Sequence, residues 1–268
     1  MQVTIGADPE FFVRRGLHYL SGHIFDCGTK YKPRRTEHGF IQMDGIALEC
    51  NVQPSSTPEE FATNLRKVVS DLSGVVHSVH NDASLVAKPS IFFGNKRLKT
   101  IPPEFAELGC QPDFNAYTTR INRRPNSNLP IRTGSGHIHI GWTENENPRS
   151  KAFFQLCCRI VKQLDYYLGL PSLLWDNDDR RRQLYGMAGA FRPKPYGLEY
   201  RVLSNKWVEN DKLVRWIFSR AVAATQHILE EECEMDLMFS GMAADFINTN
   251  KKSWPEIAPG LASTVLVP

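Results

Sequence analysis

Two histidines separated by a single residue are the first feature of the sequence that suggests chemistry. The stretch TGSGHIHIGW places His137 and His139 two positions apart, with Ile138 and Ile140 in the alternate positions. Since successive side chains of a β-strand point to opposite faces, a strand here would carry both imidazoles on one face and both isoleucines on the other. A half-exposed strand with two incidental histidines explains the same pattern, so the rest of the chain has to decide.

Three other strand-like segments carry polar residues at the same spacing of two. Half-exposed sheet faces more often use Thr, Lys and Ser, whereas these segments use Asp, Glu, Asn and Arg. Four such strands together predict one sheet with a polar, metal-binding face. The three further pairs are Asp8 and Glu10, Glu49 and Asn51 with Asp44 upstream, and Glu199 and Arg201 with Asn205 just beyond.

The residue types in these strands indicate phosphoryl transfer. Carboxylates with one imidazole suit Mg²⁺ or Mn²⁺, which prefer oxygen ligands and usually bind together with substrate phosphates. Arginine and lysine suit the phosphates themselves. In phosphoryl transfer, catalysis is mainly positioning and stabilisation of charge. No dinucleotide glycine fingerprint follows a strand and no Walker A sequence is present, so nucleotide binding would use another scaffold.

Composition limits the other classes of function. The chain has 268 residues, 41% of them hydrophobic, which is enough for one substantial core. The formal net charge of +3 gives no global argument for nucleic-acid binding. We interpret the local basic runs mainly as solvated surface. These runs are KYKPRR at 30–35, RINRR at 120–124 and RRR at 180–182.

Cysteine use and hydropathy predict a soluble, reduced, cytoplasmic protein. The six cysteines form no C-x-x-C pair, so a cysteine-ligated zinc site is not expected. The first residues, MQVTIGADPEFF, do not follow the plan of a secretory signal. No run approaches 18 apolar residues, so no membrane span is expected.

Three amphipathic helices are predicted around the strand-like segments. The clearest covers residues 58–80, where Thr57 can act as N-cap, Pro58 suits the first position and Glu60 completes a capping box. The others cover about 150–168 and 211–235. The segment 100–132 is long, irregular and rich in Pro and Asn, as functional loops often are. With no internal repeat and no linker, residues 1–268 are predicted to form one domain.

The ordered motifs resemble those of a known family. The stretches GADPEFF, DGIALECN, GSGHIHIGW and LYGMAGAFRPKPYGLEYRVLSN occur in this order between residue 5 and about 207. They resemble the phage-type carboxylate–amine ligases, the type 2 amidoligases of the glutamine synthetase and glutamate–cysteine ligase superfamily. The resemblance implies an α+β fold with a curved, glutamine synthetase-like antiparallel sheet. Helices would pack on the convex face, and ATP with Mg²⁺ or Mn²⁺ would bind on the concave face.

The resemblance also implies roles for individual residues. Asp8 and Glu10 resemble the first-strand metal pair, and Glu49 and Glu199 resemble ligands on later strands. Arg201 resembles the arginine that holds the transferred phosphate. The family would use His137 or His139 on metal and the other on an ATP phosphate. His137 directly follows Gly136, where glutamine synthetases have one more residue, so the motif leaves this choice open. Asp8 stands where relatives usually have Glu.

The mechanism implied by the family begins with transfer of the γ-phosphoryl group of ATP to a carboxylate. The resulting acyl phosphate has a good leaving group, which a neutral amine displaces. Arg201, Arg192 and Lys194 are the candidates for stabilising the transferring group. Asp44 is the candidate base that takes the proton of the amine, although a simple turn before the strand also explains it.

The long loop supplies candidates for substrate binding. Arg120 is positioned in the sequence to hold a carboxylate, and Tyr117 to stack on a substrate. Asn51 and Asn205, next to the carboxylates, are further candidates. The expected partners are a carboxylate and an amine of unknown identity, with a homo-oligomer possible in principle and no membrane. A phage origin would place the protein in the host cytoplasm.

Two alternatives remain open at this point. A metal-dependent hydrolase would use the H-x-H motif, but none of the other six histidines lies in a comparable strand motif. A non-catalytic phage structural or DNA-associated protein would retain the fold and lose ligands. The full set of candidate ligands argues against that second alternative.

Overall fold

A large antiparallel sheet organises the protein. The computed structural model describes residues 2–106, 113–123, 129–230 and 237–265. Within these residues one sheet contains 12 strands and a second contains two. The strands are β1 (Thr4–Ala7), β2 (Glu10–Arg15), β3 (His18–Leu20), β4 (Gly28–Thr29), β5 (Lys32–Arg35), β6 (Gly39–Asp44), β7 (Ala47–Ser55), β8 (Ala83–Val86), β9 (Ser90–Phe92), β10 (Phe114–Asn115), β11 (Ile131–Thr133), β12 (Ile138–Gly141), β13 (Ala190–Lys194) and β14 (Gly197–Tyr200).

Helices of very different lengths join these strands. The α-helices are α1 (Pro58–Val79), α2 (Asn95–Leu98), α3 (Pro103–Ala106), α4 (Lys151–Leu164), α5 (Leu170–Ser172), α6 (Asp179–Leu184), α7 (Asp211–Leu229), α8 (Leu237–Thr249), α9 (Trp254–Ile257) and α10 (Pro259–Val265). A π-helical turn, Asp165–Gly169, continues α4, and 3₁₀ turns cover Gly22–Ile24 and Asn205–Glu209. None of the helices in the described residues is long and apolar enough to cross a membrane.

The strand order brings together segments that are far apart in the sequence. The main path runs β10-β13-β14-β12-β1-β7-β6-β5-β4, and β2 extends from β7 to β3 and β8. The register places Glu199 opposite both His139 and Arg192, and Glu10 opposite Glu49. Directly opposed side chains share a face of the sheet and lie close together. Polar residues from five strands therefore meet on one face.

The other face of the sheet is apolar and packs against three helices. Ile138 and Ile140 are fully buried, as the alternation in HIHI predicts. They belong to one hydrophobic cluster with Leu198 of β14 and with residues of α1, α4 and α7. Helix α1 contacts β7, α4 contacts β13 and β14, and α7 contacts β1. This arrangement leaves the opposite face free for chemistry.

The predicted helices are present with shifted ends. Helix α1 matches the predicted 58–80: Thr57 accepts a hydrogen bond from Glu60 N, while Glu60 accepts one from Ser56 N. The helix predicted over 150–168 gives way to the π turn after Leu164. The helix predicted over 211–235 ends at Leu229, and residues 231–236 of that prediction lie outside the described residues.

The segment 100–132 is less irregular than its composition suggests. Its described part contains α3, β10 and the start of β11, which pairs with β9. Residues 107–112 and 124–128 lie outside the described residues. The large antiparallel sheet with helices agrees with the α+β expectation. The glutamine synthetase-like curvature and the single domain over 1–268 stay predictions.

Candidate active site

The polar face of the sheet forms the floor of a cavity of about 330 Å³. Seven strands, the residues that flank them and the β4–β5 turn supply its walls. The acidic and basic side chains expected from the strand motifs meet here. The lining residues are Asp8, Glu10, Lys30, Pro33, Phe40, Gln42, Asp44, Glu49, Asn51, His137, His139, Arg192, Lys194, Glu199 and Arg201.

The first carboxylate cluster in the cavity consists of Asp8, His137 and Glu199. One ligand atom of each lies within 4.8 Å of the others. His137 Nδ1 is 3.3 Å from Asp8 Oδ1 and 3.6 Å from Glu199 Oε1. The three come from the end of β1, the start of β12 and β14, which are neighbouring strands.

A wall of three cations surrounds the carboxylate of Glu199. Arg201 Nη1 donates to Glu199 Oε1, and Arg192 Nη1 lies 3.2 Å from the same oxygen. Lys194 Nζ is 2.9 Å from Glu199 Oε2. Arg201 Nε also donates to Asp113 Oδ2 at 3.0 Å, which fixes the plane of its guanidinium. We call Arg192, Lys194 and Arg201 the cationic wall.

The cationic wall sets the charge state of the first cluster. Burial alone would raise the pKa of Glu199, but Arg201 and its neighbours hold it well below the usual value. Burial likewise opposes ionisation of Asp8, yet His139 and His137 lower the pKa of Asp8 below its ordinary range. Burial and then Arg201 lower the pKa of His137 to about 4. His137 is therefore neutral and has a lone pair to offer a metal.

A second carboxylate cluster consists of Glu10, Asp44 and Glu49. Their ligand atoms also lie within 4.8 Å of one another. Glu10 Oε2 accepts from the backbone N–H of Ser135 at 2.9 Å. Glu49 Oε1 accepts from Gln42 and Asn51, which are neutral amides. The second cluster therefore has hydrogen-bond donors, but none of these donors carries a positive charge.

Burial and neighbouring carboxylates raise the pKa values of the second cluster. Burial, followed by the charge of Asp44, raises the pKa of Glu10 to about 8. Burial and then Asp8 raise the pKa of Glu49 well above its usual value. Burial also raises the pKa of Asp44, against a smaller opposing effect of Lys30. Such carboxylates are costly to ionise unless a cation binds them.

The donor sets of both clusters fit a divalent cation. Asp8 Oδ1 is buried, and within the described residues it accepts no hydrogen bond, which leaves a lone pair directed at the cluster. Carboxylate oxygens with at most one imidazole are the ligands that Mg²⁺ and Mn²⁺ prefer. In the part of the chain that the structure describes, neither cluster contains a cysteine or a second histidine. Zinc sites typically use such soft or nitrogen-rich ligand sets.

The two histidines of the H-x-H motif share one face, as predicted, but their surroundings differ. Asp8 lies between them, with its Oδ2 atom 3.2 Å from His139 Nε2. His139 Nδ1 contacts the hydroxyl of Tyr196. Burial lowers the pKa of His139, but the charges of Asp8 and Glu199 more than offset this, so the net shift is upward. His137 is thus suited to a metal, and His139 is suited to donating to an anion.

Asp8 and Glu10, which the sequence motif places side by side, lie in different carboxylate clusters. Pro9 lies between β1 and β2 and has no N–H to donate to a ladder, so the strand is interrupted there. Asp8 N donates to His137 O, while Glu10 N donates to Ser135 O. The two carboxylates therefore join different clusters, although the sequence motif suggests a single metal pair.

The Gly-Ser-Gly turn before the H-x-H motif has a structural reason. A Cβ atom at Gly134 would lie 2.5 Å from Asn205 Nδ2, and one at Gly136 would lie 2.4 Å from Trp207 Nε1. Only glycine allows the chain that follows β14 to pass this close. The turn presents Ser135 N to Glu10 and thereby positions the second cluster.

Three of the predicted substrate residues do not line the cavity. Asn205 is fully buried, and its amide donates to Glu10 O and Lys88 O, so it supports the backbone behind the site. Tyr117 packs against Gly189 and lies near Asp165, which is hydrogen-bonded to Tyr200 on the helix side of the sheet. Arg120 is exposed on the hairpin that follows β10. Asn51 does line the cavity.

Sequence reasoning missed several residues that build the site. The run Arg180–Arg182 was expected to be solvated, yet Arg181 is fully buried. Its guanidinium donates to Val202 O and Leu203 O, just beyond Arg201. Since arginine runs usually lie on surfaces, no sequence signal marked this one. Lys30, Gln42 and Asp113 were missed as well, because each comes from a segment without a paired motif.

A larger cavity of about 620 Å³ adjoins the first. Asn51 and His139 line both cavities. Gly6 and Gly141 line it without side chains, while Trp142, Tyr196 and Pro54 supply apolar walls. Its described lining contains no Lys or Arg, and Glu144 is its single charged residue. The lysine and arginine side chains that line the two cavities therefore all belong to the smaller one.

The fold and the site define a protein with two carboxylate clusters and a cationic wall on one face of an antiparallel sheet. A family model described as "Phage phiEco32-like COOH.NH2 ligase-type 2" matches residues 131–265, about half of the chain. The chain therefore belongs to this family of carboxylate–amine ligases. The matched residues include the H-x-H strand, the cationic wall and Glu199, but not Asp8, Glu10, Asp44 or Glu49.

Other comparisons add little. No curated protein matches the chain. Among solved structures, a bifunctional glutathione synthetase from Pasteurella multocida is similar with a TM-score of 0.49 and 12% sequence identity. The similarity covers 93% of this chain and 40% of that one, so the present chain spans less than half of that structure's length.

Proposed function

We propose that the protein is an ATP- and Mg²⁺-dependent ligase that joins a carboxylate to an amine through an acyl-phosphate intermediate. The observation that carries this proposal is the meeting of two carboxylate clusters and a cationic wall in one cavity. Family membership supplies the reaction class. A glutamine synthetase-like sheet, a single catalytic domain and the reducing cytoplasm expected from the cysteine pattern belong to the same proposal.

Each cluster would hold one divalent cation. Asp8, His137 and Glu199 would hold the first, and Glu10, Asp44 and Glu49 would hold the second. When bound, Mg²⁺ supplies neutralisation of the phosphate oxygens and a template that orients them. The raised pKa values of the second cluster favour this assignment, because buried carboxylates without a positive partner gain most from a cation.

The cationic wall would hold the phosphoryl group during its transfer. Its three cations all contact Glu199, which keeps them together at the cavity. Arg201 has a planar fork of donors that matches phosphate oxygens. His139 would donate from its ring N–H to a phosphate oxygen. These groups are in position before ATP binds, which lowers the cost of reorganisation.

The larger cavity would take the nucleoside part of ATP. Its walls are apolar, Gly6 and Gly141 leave room for a planar base, and no Lys or Arg lines it among the described residues. His139 and Asn51 lie at its junction with the charged cavity. A nucleotide spanning the two would place its phosphates against the cationic wall and its base beside Trp142 and Tyr196.

The chemistry then follows in two steps. A carboxylate oxygen attacks the γ-phosphorus atom, and the bond to the β-bridging oxygen breaks, releasing ADP. The amine nitrogen attacks the acyl carbon, and inorganic phosphate leaves. Asp44 is the candidate that takes the amine proton, and its raised pKa suits a base. A cation bound at the second cluster would lower that pKa, so Asp44 serves as base only when it is not a ligand.

The alternatives make different use of the same residues. A hydrolase using both histidines on one zinc ion is disfavoured, because His137 and His139 lie on either side of Asp8. A non-catalytic protein would be expected to have lost part of the ligand set. A protein that binds ATP and Mg²⁺ but never forms ADP with any substrate would fit this second alternative.

The first test measures ATP binding by thermal unfolding. Chelator-treated protein is melted with Mg²⁺ alone, ATP alone and both together. At a hundredfold excess over the dissociation constant, the complex should be stabilised by about 2.7 kcal/mol. Glu10→Gln should remove most of this shift, whereas Glu146→Gln, at an exposed position outside the cavity, should retain it. An unchanged shift in Glu10→Gln would contradict the assignment of the second cluster.

The second test concerns turnover. ADP release is measured against pooled amino acids and metabolites, with mass spectrometry of the condensed product. Arg201→Lys keeps one charge but cannot reach both Glu199 and Asp113, so we expect nearly normal ATP binding and a loss of turnover of about 10²–10³. Unaltered turnover would leave Arg201 a structural residue.

A further inference from the structure

One wall of the charged cavity is not used by the proposed chemistry. It consists of Lys30 from the β4–β5 turn, Pro33 from β5 and Phe40 from β6, and we call it the hairpin wall. Arg35 lies directly opposite Phe40 in the β5–β6 pair, so it shares the face of these residues. The hairpin wall is contributed by the strands at one end of the sheet order, beyond the second carboxylate cluster.

Lys30 differs from the other cations of the cavity. Arg192, Lys194 and Arg201 all contact Glu199. Lys30 is exposed and forms no ion pair within the part of the chain that the structure describes. It lies near enough to Asp44 to influence the pKa of that carboxyl, although burial has the larger effect. An incoming anion can therefore contact Lys30 without displacing a protein carboxylate.

The positive charge continues from Lys30 onto the outer surface of the hairpin. Lys32, Arg34 and Arg35 are exposed, and Tyr31 at the tip is 97% exposed. Arg34 donates to the backbone oxygen of Asp26. A run of cations that leads from open surface into a reaction cavity attracts an anion larger than the cavity itself.

The proposed reaction requires that this anion contain a carboxylate. Resting on the proposed ligase activity, we propose that the hairpin wall binds the carboxylate substrate and that this substrate is an acidic peptide. Lys30 holds the carboxylate that reacts, and Arg35, on the same face as Pro33, holds a further carboxylate of the same chain. Lys32 alternates with Pro33 and lies on the outer face, where its charge adds to the field that attracts the peptide. Nucleic acids also fit a basic surface, but they contain no carboxylate to activate. ATP would lie against the cationic wall, which leaves the hairpin wall to the carboxylate substrate.

The experiment measures binding of fluorescein-labelled hexaglutamate by fluorescence anisotropy, with Mg²⁺ and a non-hydrolysable ATP analogue present. The wild-type protein should bind the peptide, with affinity falling as salt rises. Lys32→Ala/Arg35→Ala lies outside the cavity and should weaken binding about fivefold or more. Lys30→Gln should weaken it by a similar factor, and Lys30→Arg should restore most of the loss.

Matched controls separate this surface from charge in general. Lys67→Ala/Lys151→Ala removes the same number of charges at exposed positions on α1 and α4, and should bind hexaglutamate like the wild type. A single-stranded oligonucleotide of equal charge should bind more weakly than the peptide. Tighter binding of the oligonucleotide, or equal losses in the control and the hairpin variants, would overturn the proposal.

The outcome also distinguishes this inference from the proposed function. If ATP and Mg²⁺ stabilise the protein and ADP is formed, but hexaglutamate does not bind, only the peptide assignment fails. If hexaglutamate binds through the hairpin wall but ATP and Mg²⁺ neither stabilise the protein nor yield ADP, the ligase proposal fails. The hairpin wall would then be a peptide-binding surface that serves another function.

Discussion

The two carboxylate clusters share one cavity and one degree of burial, yet their charge states differ. In the first cluster, Asp8 and Glu199 have lowered pKa values because histidines and the cationic wall surround them. In the second, Glu10 and Glu49 have raised pKa values because burial and neighbouring carboxylates both oppose ionisation. The same residue type thus has opposite properties on neighbouring strands.

The two clusters differ in whether the protein itself supplies the positive charge that balances their carboxylates. The first cluster carries its own counter-charges, so its geometry is fixed in the protein alone. The second cluster is satisfied by neutral donors only, namely Gln42, Asn51 and the N–H of Ser135. Its carboxylates reach full charge when a cation arrives. Occupancy of the second cluster therefore responds more strongly to metal concentration and pH.

The largest expected effect comes from removing one carboxylate from each cluster in turn. Glu199→Gln leaves three buried or half-buried cations without their anion, and should lower the free energy of unfolding by about 3–5 kcal/mol. Glu49→Gln replaces a buried carboxyl that is costly to ionise and keeps an acceptor for Gln42 and Asn51. It should therefore be neutral or stabilising by up to about 1 kcal/mol. Urea unfolding in chelator at neutral pH measures both.

The two variants are expected to change the free energy of unfolding in different directions. If both variants lose similar stability, the second cluster is compensated by some charge in the protein, and the contrast between the clusters disappears. If Glu49→Gln is more stable in chelator but gains nothing from Mg²⁺, the contrast is sharpened.

The pH dependence of stability should come mainly from the second cluster. The pKa of Glu10 is raised from 4.5 to about 8, so the folded state binds this proton more tightly than the unfolded chain. That contribution is complete below the unfolded pKa and is lost as pH rises through the folded one. In chelator, the free energy of unfolding should therefore fall by about 1–2 kcal/mol between pH 7 and pH 8.5.

The variant Glu10→Gln should reduce this decline but not abolish it, because the pKa values of Glu49 and Asp165 are raised as well. Glu146→Gln should leave it intact. Lowered pKa values of Asp8 and Glu199 act only in acid, where stability is lost as pH falls. They do not oppose the decline in this window. A wild-type profile that is flat or rises over the same range would show that Glu10 is already ionised.

The smallest expected effect separates the two histidines. Asn can replace an N–H donor but is a poor substitute for a metal-binding imidazole. His137→Asn should raise the Mg²⁺ concentration needed for ADP release by about tenfold or more. His139→Asn should mainly raise the ATP requirement at saturating Mg²⁺. The exposed His18→Asn serves as control, and equal effects at 137 and 139 would contradict the different roles.

Alternation made much of the site predictable from the sequence. The period of two in HIHI and in LEYR places the polar residues on one face, and the buried Ile138 and Ile140 agree with it. The capped helix α1 was predictable because its signals are local. That Asp8, His137 and Glu199 lie in one site was predicted because the ordered motifs resemble those of the family.

What could not be predicted depends on contacts between distant segments. Arg181 lies in a run that is charged like a surface, and only the chain after β14 explains its burial. Lys30 reaches the cavity because β4, β5 and β6 pair in sequence beside β7. The break at Pro9 was visible, but its effect on Asp8 and Glu10 depends on which backbone oxygens their N–H groups meet.

The pairing of β1 with β12 has a consequence for how the protein folds. Thr4 pairs with Gly141 at a sequence separation of 137, and this ladder lies at the centre of the sheet. Closing so long a loop costs entropy before any contact repays it, and topologies rich in such contacts fold slowly. On the ribosome, Asp8 is synthesised long before Glu199, so the part of the cavity that contains both residues forms only after the chain between them has been made.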